Sequence, residues 1–163
     1  MKYTTKMLHL IGLIMFFAGI LSSVVMNSVV GISNDAVLIY HQRLFVSAIT
    51  SALTIPGMWM LVIAGGLSAL SGRHSLIEHR WLIVKLVLAA LILFNGTFIL
   101  APLVDQVTSI AEKSAVHGQI LPTYWPLKKQ EDMYGIANFL MLLFALVLSV
   151  YKPSFRRAKN ASN

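Results

Sequence analysis

Four long apolar runs constrain this 163-residue chain more than any other feature. Each run reaches the roughly 20 residues that a helix needs to cross a bilayer. Only 12% of the residues are charged, about half of what a soluble domain carries. Because lipid offers no hydrogen bonds to the backbone, we expect an all-α, four-transmembrane-helix membrane bundle in contact with the lipid bilayer. A single domain, 1–163, is predicted, with spans at about 7–30, 44–70, 82–104 and 133–151 and a disordered tail at 154–163.

The charges outside these runs predict the orientation of the chain. With four spans, the N-terminus, the 71–81 loop and the tail share one side, which holds eight Lys and Arg residues against four on the other. The positive-inside rule then predicts a bacterial-type inner membrane with both termini in the cytoplasm. The first run is too long for an ordinary signal peptide, which favours a retained span over a cleaved one. The net charge of +7 reflects topology and attraction to anionic lipid, not binding of nucleic acid.

The second run predicts a helix longer than the bilayer is thick. Asp35, with the polar residues before it, is typical of a helix cap, so we expect the helix to begin near Ala36 and to reach Leu70. Thirty-five residues at 1.5 Å each make about 52 Å, so the first turns project from the membrane. Pro56 removes a backbone hydrogen bond in mid-helix and predicts a kink.

The third run predicts a second projecting segment. An amphipathic stretch at 104–116 follows Pro102 and is expected to continue the helix outside the bilayer. The polar and aromatic residues at 118–132 indicate a loop that lies along the membrane interface, ahead of the fourth span.

Two ionisable residues lie inside the apolar runs. His9 is the only ionisable side chain between residues 7 and 30, and Lys85 carries the only formal charge between residues 82 and 104. A charge in hydrocarbon costs roughly 3 kcal/mol by insertion scales, so such residues usually have a function or reach an interface. Both are predicted to lie less than about 10 Å below the cytoplasmic interface. We therefore expect either a shared site or a snorkelling Lys85 beside a His9 that bonds a neighbouring helix.

The chemistry of these two side chains is compatible with cofactor binding as well as with a structural role. A neutral imidazole is a common haem or metal ligand, and a deprotonated lysine amine ligates or transfers protons. Gly65 and Gly66 give the second helix a smooth face that admits another helix or a flat ligand. Arg43 is either a clamp for an anion or propionate or an anchor to lipid headgroups.

Other candidate residues point to weaker hypotheses. Met58 and Met60 match the thioether ligands of copper(I), but methionine is also ordinary apolar filler. Asn95, Thr97 and Asn138 are expected to form an interhelical hydrogen-bond cluster. The chain has no cysteine, which excludes disulfides, iron–sulfur clusters and thiolate metal sites.

Several of these residues recur in one ordered pattern. Its elements are Leu8-His9, Arg43-Leu44, Thr54-x-Pro56-Gly57-Met58 with Gly66, Trp81-Leu82-x-x-Lys85-Leu86 and Lys152-Pro153. The pattern resembles the HemJ-like group of small membrane proteins, which includes a protoporphyrinogen oxidase that binds haem b. It is at least as similar to a related group of predicted integral membrane proteins of unknown function. The resemblance to the HemJ-like group implies that His9 and Lys85 are functionally important.

Three functions remain open from the sequence. The first is a haem b or porphyrin site with His9 as axial metal ligand, Lys85 as second ligand or catalytic proton donor, and room for the macrocycle at Gly65 and Gly66. Its chemistry would be redox conversion of a porphyrin, quinone or similar lipophilic substrate. The second is a non-enzymatic membrane protein for transport, assembly or stress, and the third is copper handling. A homo-oligomer is compatible with each of them.

Overall fold

The computed structural model describes residues 2–30, 33–71 and 80–151. Within those ranges all regular secondary structure is helical. Two π-helical turns, Thr50–Thr54 and Asn95–Leu100, join successive helices without a break. The predicted loop between Ser71 and Arg80 and the predicted disordered tail 154–163 lie outside the described residues. The helices are α1 (Lys2–Val30), α2 (Ala36–Ile49), α3 (Ile55–Ser71), α4 (Arg80–Phe94), α5 (Ala101–His117) and α6 (Tyr124–Tyr151).

These helices form four membrane-spanning units, which confirms the predicted all-α bundle. The units are α1, α2 with α3, α4 with α5, and α6, and each is long and apolar enough to cross a bilayer. They run alternately between two ends of the bundle. We call the end that holds Lys2, Ser71, Arg80 and Tyr151 the terminal end. The opposite end, which holds Val30, Ala36, His117 and Tyr124, is the loop end.

Helix α1 lies directly against the backbone of α3. A side-chain carbon added at Gly12 would lie 2.8 Å from the Leu61 nitrogen, and one added at Gly57 would lie 2.7 Å from the Phe16 nitrogen. Small residues permit this close approach between membrane helices, where van der Waals packing stabilises association. The contact fixes which part of α3 faces His9, one turn before Gly12.

Both π-helical turns end two residues before a proline. The amide of Ile55 bonds the carbonyl of Thr50, and the amide of Ala101 bonds the carbonyl of Gly96, so each turn is one residue wider than an α-turn. Pro56 and Pro102 lack an amide proton and clash with the carbonyl four residues earlier. The wide turn accommodates that clash within a continuous helix, and single π-turns of this kind are frequent at functional sites.

The bundle has two buried cores. The first lies where all four units meet and takes one side chain from each: Phe16, Met58, Ile92 and Leu142. The second lies at the loop end, where α2, α5 and α6 enclose Ile39, Val107, Ala111 and Tyr124. The expected projection of the second and third units beyond the bilayer thus has a packed interior of its own.

The predicted interface loop at 118–132 is wrong in its second half. Helix α6 begins at Tyr124, so the connection is only 118–123. Gly118 adopts a left-handed φ of 66° after α5, and Ser114 fastens the connection by accepting the amide of Leu121 at 3.1 Å. The charged residues in the second half of this stretch lie on α6, where Lys128 and Glu131 are buried and ion-paired.

Candidate functional site

His9 lies on α1 with its ring turned toward α3. Its Nδ1 is 3.3 Å from the carbonyl oxygen of Leu61, and the side chain is half-buried. Because a carbonyl oxygen only accepts, this contact requires the proton on Nδ1 and leaves the lone pair of Nε2 available. Histidines that bind metals usually donate their other ring N–H to such an acceptor, which fixes the ring and its tautomer.

The face of α3 beside His9 carries no side chain at Gly65. A side-chain carbon at Gly65 would lie 3.6 Å from Cε1 of His9, an ordinary contact distance, whereas one at Gly66 would meet no described atom within 4 Å. These two glycines therefore differ from Gly12 and Gly57, which touch a neighbouring backbone. They leave space beside the imidazole.

Lys85 lies on α4, which packs against α3, and its side chain is half-buried. In the described part of the chain no carboxylate is ion-paired with Lys85. The structure thus brings His9 and Gly65 into contact at the terminal end, with Gly66 adjacent, and places Lys85 on the neighbouring helix at the same end.

An apolar groove borders this site. It encloses about 290 Å³ and is lined by Leu8, Met60, Ile63, Ala64 and Leu67, which flank His9 and Gly65 in sequence. Met58 lies instead in the four-helix core against Gly96, so the two thioethers do not converge. The groove is suited to the hydrocarbon part of a ligand and not to its charged part.

Arg43 lies away from this site, at the loop end. Leu61 contacts His9, and Arg43 is 18 residues from Leu61 along the same unit, a separation of about 27 Å. Arg43 is fully buried, and its guanidinium donates to both carboxylate oxygens of Glu131, at 3.1 and 2.6 Å. It therefore reaches neither a ligand at His9 nor the headgroups. The sequence offered one signal for this pair, namely opposite charges at the same end of two spans.

Two of the three residues expected in an interhelical hydrogen-bond cluster are bonded to each other, between α6 and the second π-turn, and Thr97 is not part of the cluster. Asn95 donates to the side-chain oxygen of Asn138 at 2.8 Å and to the Tyr134 carbonyl at 3.3 Å. The hydroxyl of Thr97 is buried and has no hydrogen-bond partner in the described part of the structure. The asparagines lie about ten residues, or roughly 15 Å, from the level of Lys85 and are separate from its site.

Comparison with known proteins identifies the family. A family model described as "Predicted integral membrane protein (DUF2269)" matches residues 3–153, which include almost every described residue. Searches of curated proteins and of solved structures found no match. The four apolar helices and the family match over nearly the whole chain both indicate an integral membrane protein. The chain therefore belongs to the DUF2269 family of predicted integral membrane proteins.

Proposed function

We propose that this integral membrane protein binds haem b or a related porphyrin at the terminal end, with His9 as axial ligand, for redox chemistry on a lipophilic substrate such as a porphyrin or quinone. The observation that carries the proposal is the orientation of His9. Its Nδ1 faces the Leu61 carbonyl at 3.3 Å, so Nε2 keeps the lone pair that an axial ligand needs.

The surroundings of His9 support a flat, largely apolar ligand. Gly65 lies beside the ring and adds no side chain, and the space at Gly66 is open among the described atoms. The neighbouring groove has an entirely apolar lining, which suits a hydrocarbon periphery or a lipophilic substrate that enters from the bilayer. Arg43 has no part in the proposal because it is paired with Glu131 at the other end.

Lys85 is the candidate catalytic residue. When bound, haem b would supply one-electron redox chemistry. The amine of Lys85 has no described carboxylate as ion-pair partner, and its half-buried position near His9 suits a second ligand or a proton donor to substrate. Both roles require an amine that can lose its proton.

A non-enzymatic membrane protein is the second candidate function, because Lys85 is only half-buried and lies about one and a half turns from the start of α4 at the terminal end. In that case the amine reaches the headgroups and His9 simply bonds α3. The substitution Lys85→Arg distinguishes the two functions. Lys85→Arg should abolish a ligand or proton-transfer role, since arginine keeps its proton, and should preserve a headgroup anchor.

Absorption spectroscopy tests the proposal. The full chain is expressed with ample haem supply, purified in detergent and scanned for a Soret band. His9→Ala should remove or shift the band, whereas the same substitution at His117, exposed at the loop end, should leave it unchanged. Absence of the band from the wild-type protein, or its full retention in His9→Ala, would overturn the proposal.

A further inference from the structure

A pocket that contains several polar and charged side chains lies at the loop end, outside the site proposed for haem. It encloses about 330 Å³ between α1, α2 and the first turns of α6. Its walls include two lysines, two amides, a carboxylate and an indole. The residues are Asn27, Gln42, Trp125, Lys128, Lys129 and Asp132.

The depth of this pocket matches the boundary between hydrocarbon and headgroups. Asn27 is 18 residues from His9 on α1, a rise of about 27 Å, close to the hydrocarbon thickness of roughly 30 Å. His9 lies near one boundary, so Asn27 lies near the other. Trp125 is 38% exposed at this level, where tryptophan is enriched in membrane proteins.

The charges in the pocket favour an anion. Lys128 is only 9% exposed and is ion-paired with Asp132, while Lys129 is exposed and has no carboxylate partner among the described residues. Two lysines against one aspartate leave the lining with one excess positive charge. Asp132 compensates the charge of the buried Lys128, so the excess positive charge lies on the exposed Lys129.

The amides add hydrogen-bond donors to this positive surface. Gln42, which is 5% exposed, donates through Nε2 to the side-chain oxygen of Asn27 at 2.7 Å. That bond fixes the Asn27 amide with its nitrogen left to donate. Phosphate oxygens accept from both ammonium and amide groups, so the donor set matches a phosphate better than a cation.

We propose that this pocket binds a phosphate ester, with Lys128 and Lys129 as its positive groups and Asn27 as an amide donor. The interfacial depth favours the headgroup of a phospholipid in the leaflet at the loop end, and a soluble phosphate ester shares the same chemistry. The proposal is independent of the haem site, since the two sites lie about 27 Å apart along the bundle.

Native mass spectrometry of the full chain in a maltoside detergent tests this proposal. The probes are dimyristoyl phosphatidylglycerol, glycerol 3-phosphate and dimyristoyl glycerol, which lacks the phosphate. We expect the first bound molecule of phosphatidylglycerol to have a much higher affinity than the first bound molecule of dimyristoyl glycerol. Lys129→Gln should weaken it about fivefold, as expected for one lysine at an anionic surface. Lys128→Gln should weaken it at least as much.

Lys113→Gln is the matched control, because Lys113 is exposed on α5 at the same end and does not line the pocket. Tighter binding of the lipid than of glycerol 3-phosphate identifies a headgroup site, and equal binding identifies a soluble phosphate ester. Dimyristoyl glycerol binding as tightly as phosphatidylglycerol, or an equal loss in Lys113→Gln and Lys129→Gln, would overturn the proposal.

Discussion

The two ends of the bundle hold their ionisable side chains in opposite ways. At the loop end, Arg43 is fully buried and meets both carboxylate oxygens of Glu131. At the terminal end, His9 and Lys85 are half-buried, and no described carboxylate pairs with either. In the Arg43–Glu131 pair, each charged group is neutralised by the other. At the terminal end, the imidazole of His9 keeps a lone pair and the amine of Lys85 keeps its protons, and both are available to a ligand. From this difference we propose a structural role for the Arg43–Glu131 pair and a chemical role for His9 and Lys85.

The glycines show the same division. Gly12 and Gly57 lie in the contact between α1 and α3, where an added carbon would come within 3 Å of backbone atoms. Gly65 and Gly66 lie nearer the terminal end, where an added carbon meets only the His9 ring or nothing described. One pair of glycines brings helices together, and the other leaves space unfilled.

The largest effect should follow from breaking the loop-end ion pair. Arg43→Met leaves the Glu131 carboxylate buried and unpaired, which costs about 3–5 kcal/mol of unfolding free energy. Glu131→Gln should cost a similar amount, and the double variant should recover part of the loss. Unfolding in detergent, followed by circular dichroism, measures these changes. Additive losses in the double variant would contradict a direct pair.

Lys128→Gln is a useful contrast within the same end. Its partner Asp132 is half exposed, so loss of that ion pair should change the unfolding free energy by about 1 kcal/mol or less. If Lys128→Gln lost as much unfolding free energy as Arg43→Met, the burial of the partner carboxylate would not explain the stability of the loop end.

The sequence could predict most of the fold but little of the loop end. Asp35 predicted the start of α2. In the structure its carboxylate accepts hydrogen bonds from the backbone amides of Val37 and Leu38, at 2.9 and 3.1 Å. Local signals of this kind depend on a few neighbouring residues. The pairing of Arg43 with Glu131 joins residues 88 positions apart and depends on how α2 and α6 pack, which local patterns do not encode.

The same reason explains where the sequence analysis erred. The polar and aromatic residues at 118–132 suggested a loop along the membrane interface, because pattern alone does not show that ion pairs allow Lys128 and Glu131 to be buried on a helix. The grouping of His9 with Lys85 rested on their equal depth, which helix geometry does encode. The sequence predicted a kink at Pro56 but neither of the two π-turns. Whether a proline produces a kink or a π-turn depends on the helices packed around it.

A smaller effect should follow from the helix contact. Gly57→Ala places a methyl group 2.7 Å from the Phe16 nitrogen, so α1 must shift, at a cost of about 1–3 kcal/mol. Gly135→Ala on α6 is the matched control, because no described atom lies within 4 Å of its added carbon. Unfolding in detergent should show a loss only for Gly57→Ala. Equal stability of the two variants would contradict the close contact.

The smallest effect should come from the mid-membrane asparagines. Asn138→Leu removes the bond to Asn95, and interhelical hydrogen bonds in membranes contribute on average about 0.6 kcal/mol. The unfolding free energy should fall by about that amount, with no change in any haem absorption. A loss above about 2 kcal/mol would contradict an ordinary interhelical hydrogen bond between Asn95 and Asn138.

The most direct test of the division between the two ends measures the Soret absorption and the unfolding midpoint of the same samples of His9→Ala and Glu131→Gln. The account predicts that His9→Ala loses or shifts the Soret band while its apoprotein unfolds close to wild-type apoprotein. It predicts that Glu131→Gln unfolds far more easily but keeps the wild-type band while it remains folded. A His9→Ala protein with the wild-type band, or with stability as low as that of Glu131→Gln, would contradict the account.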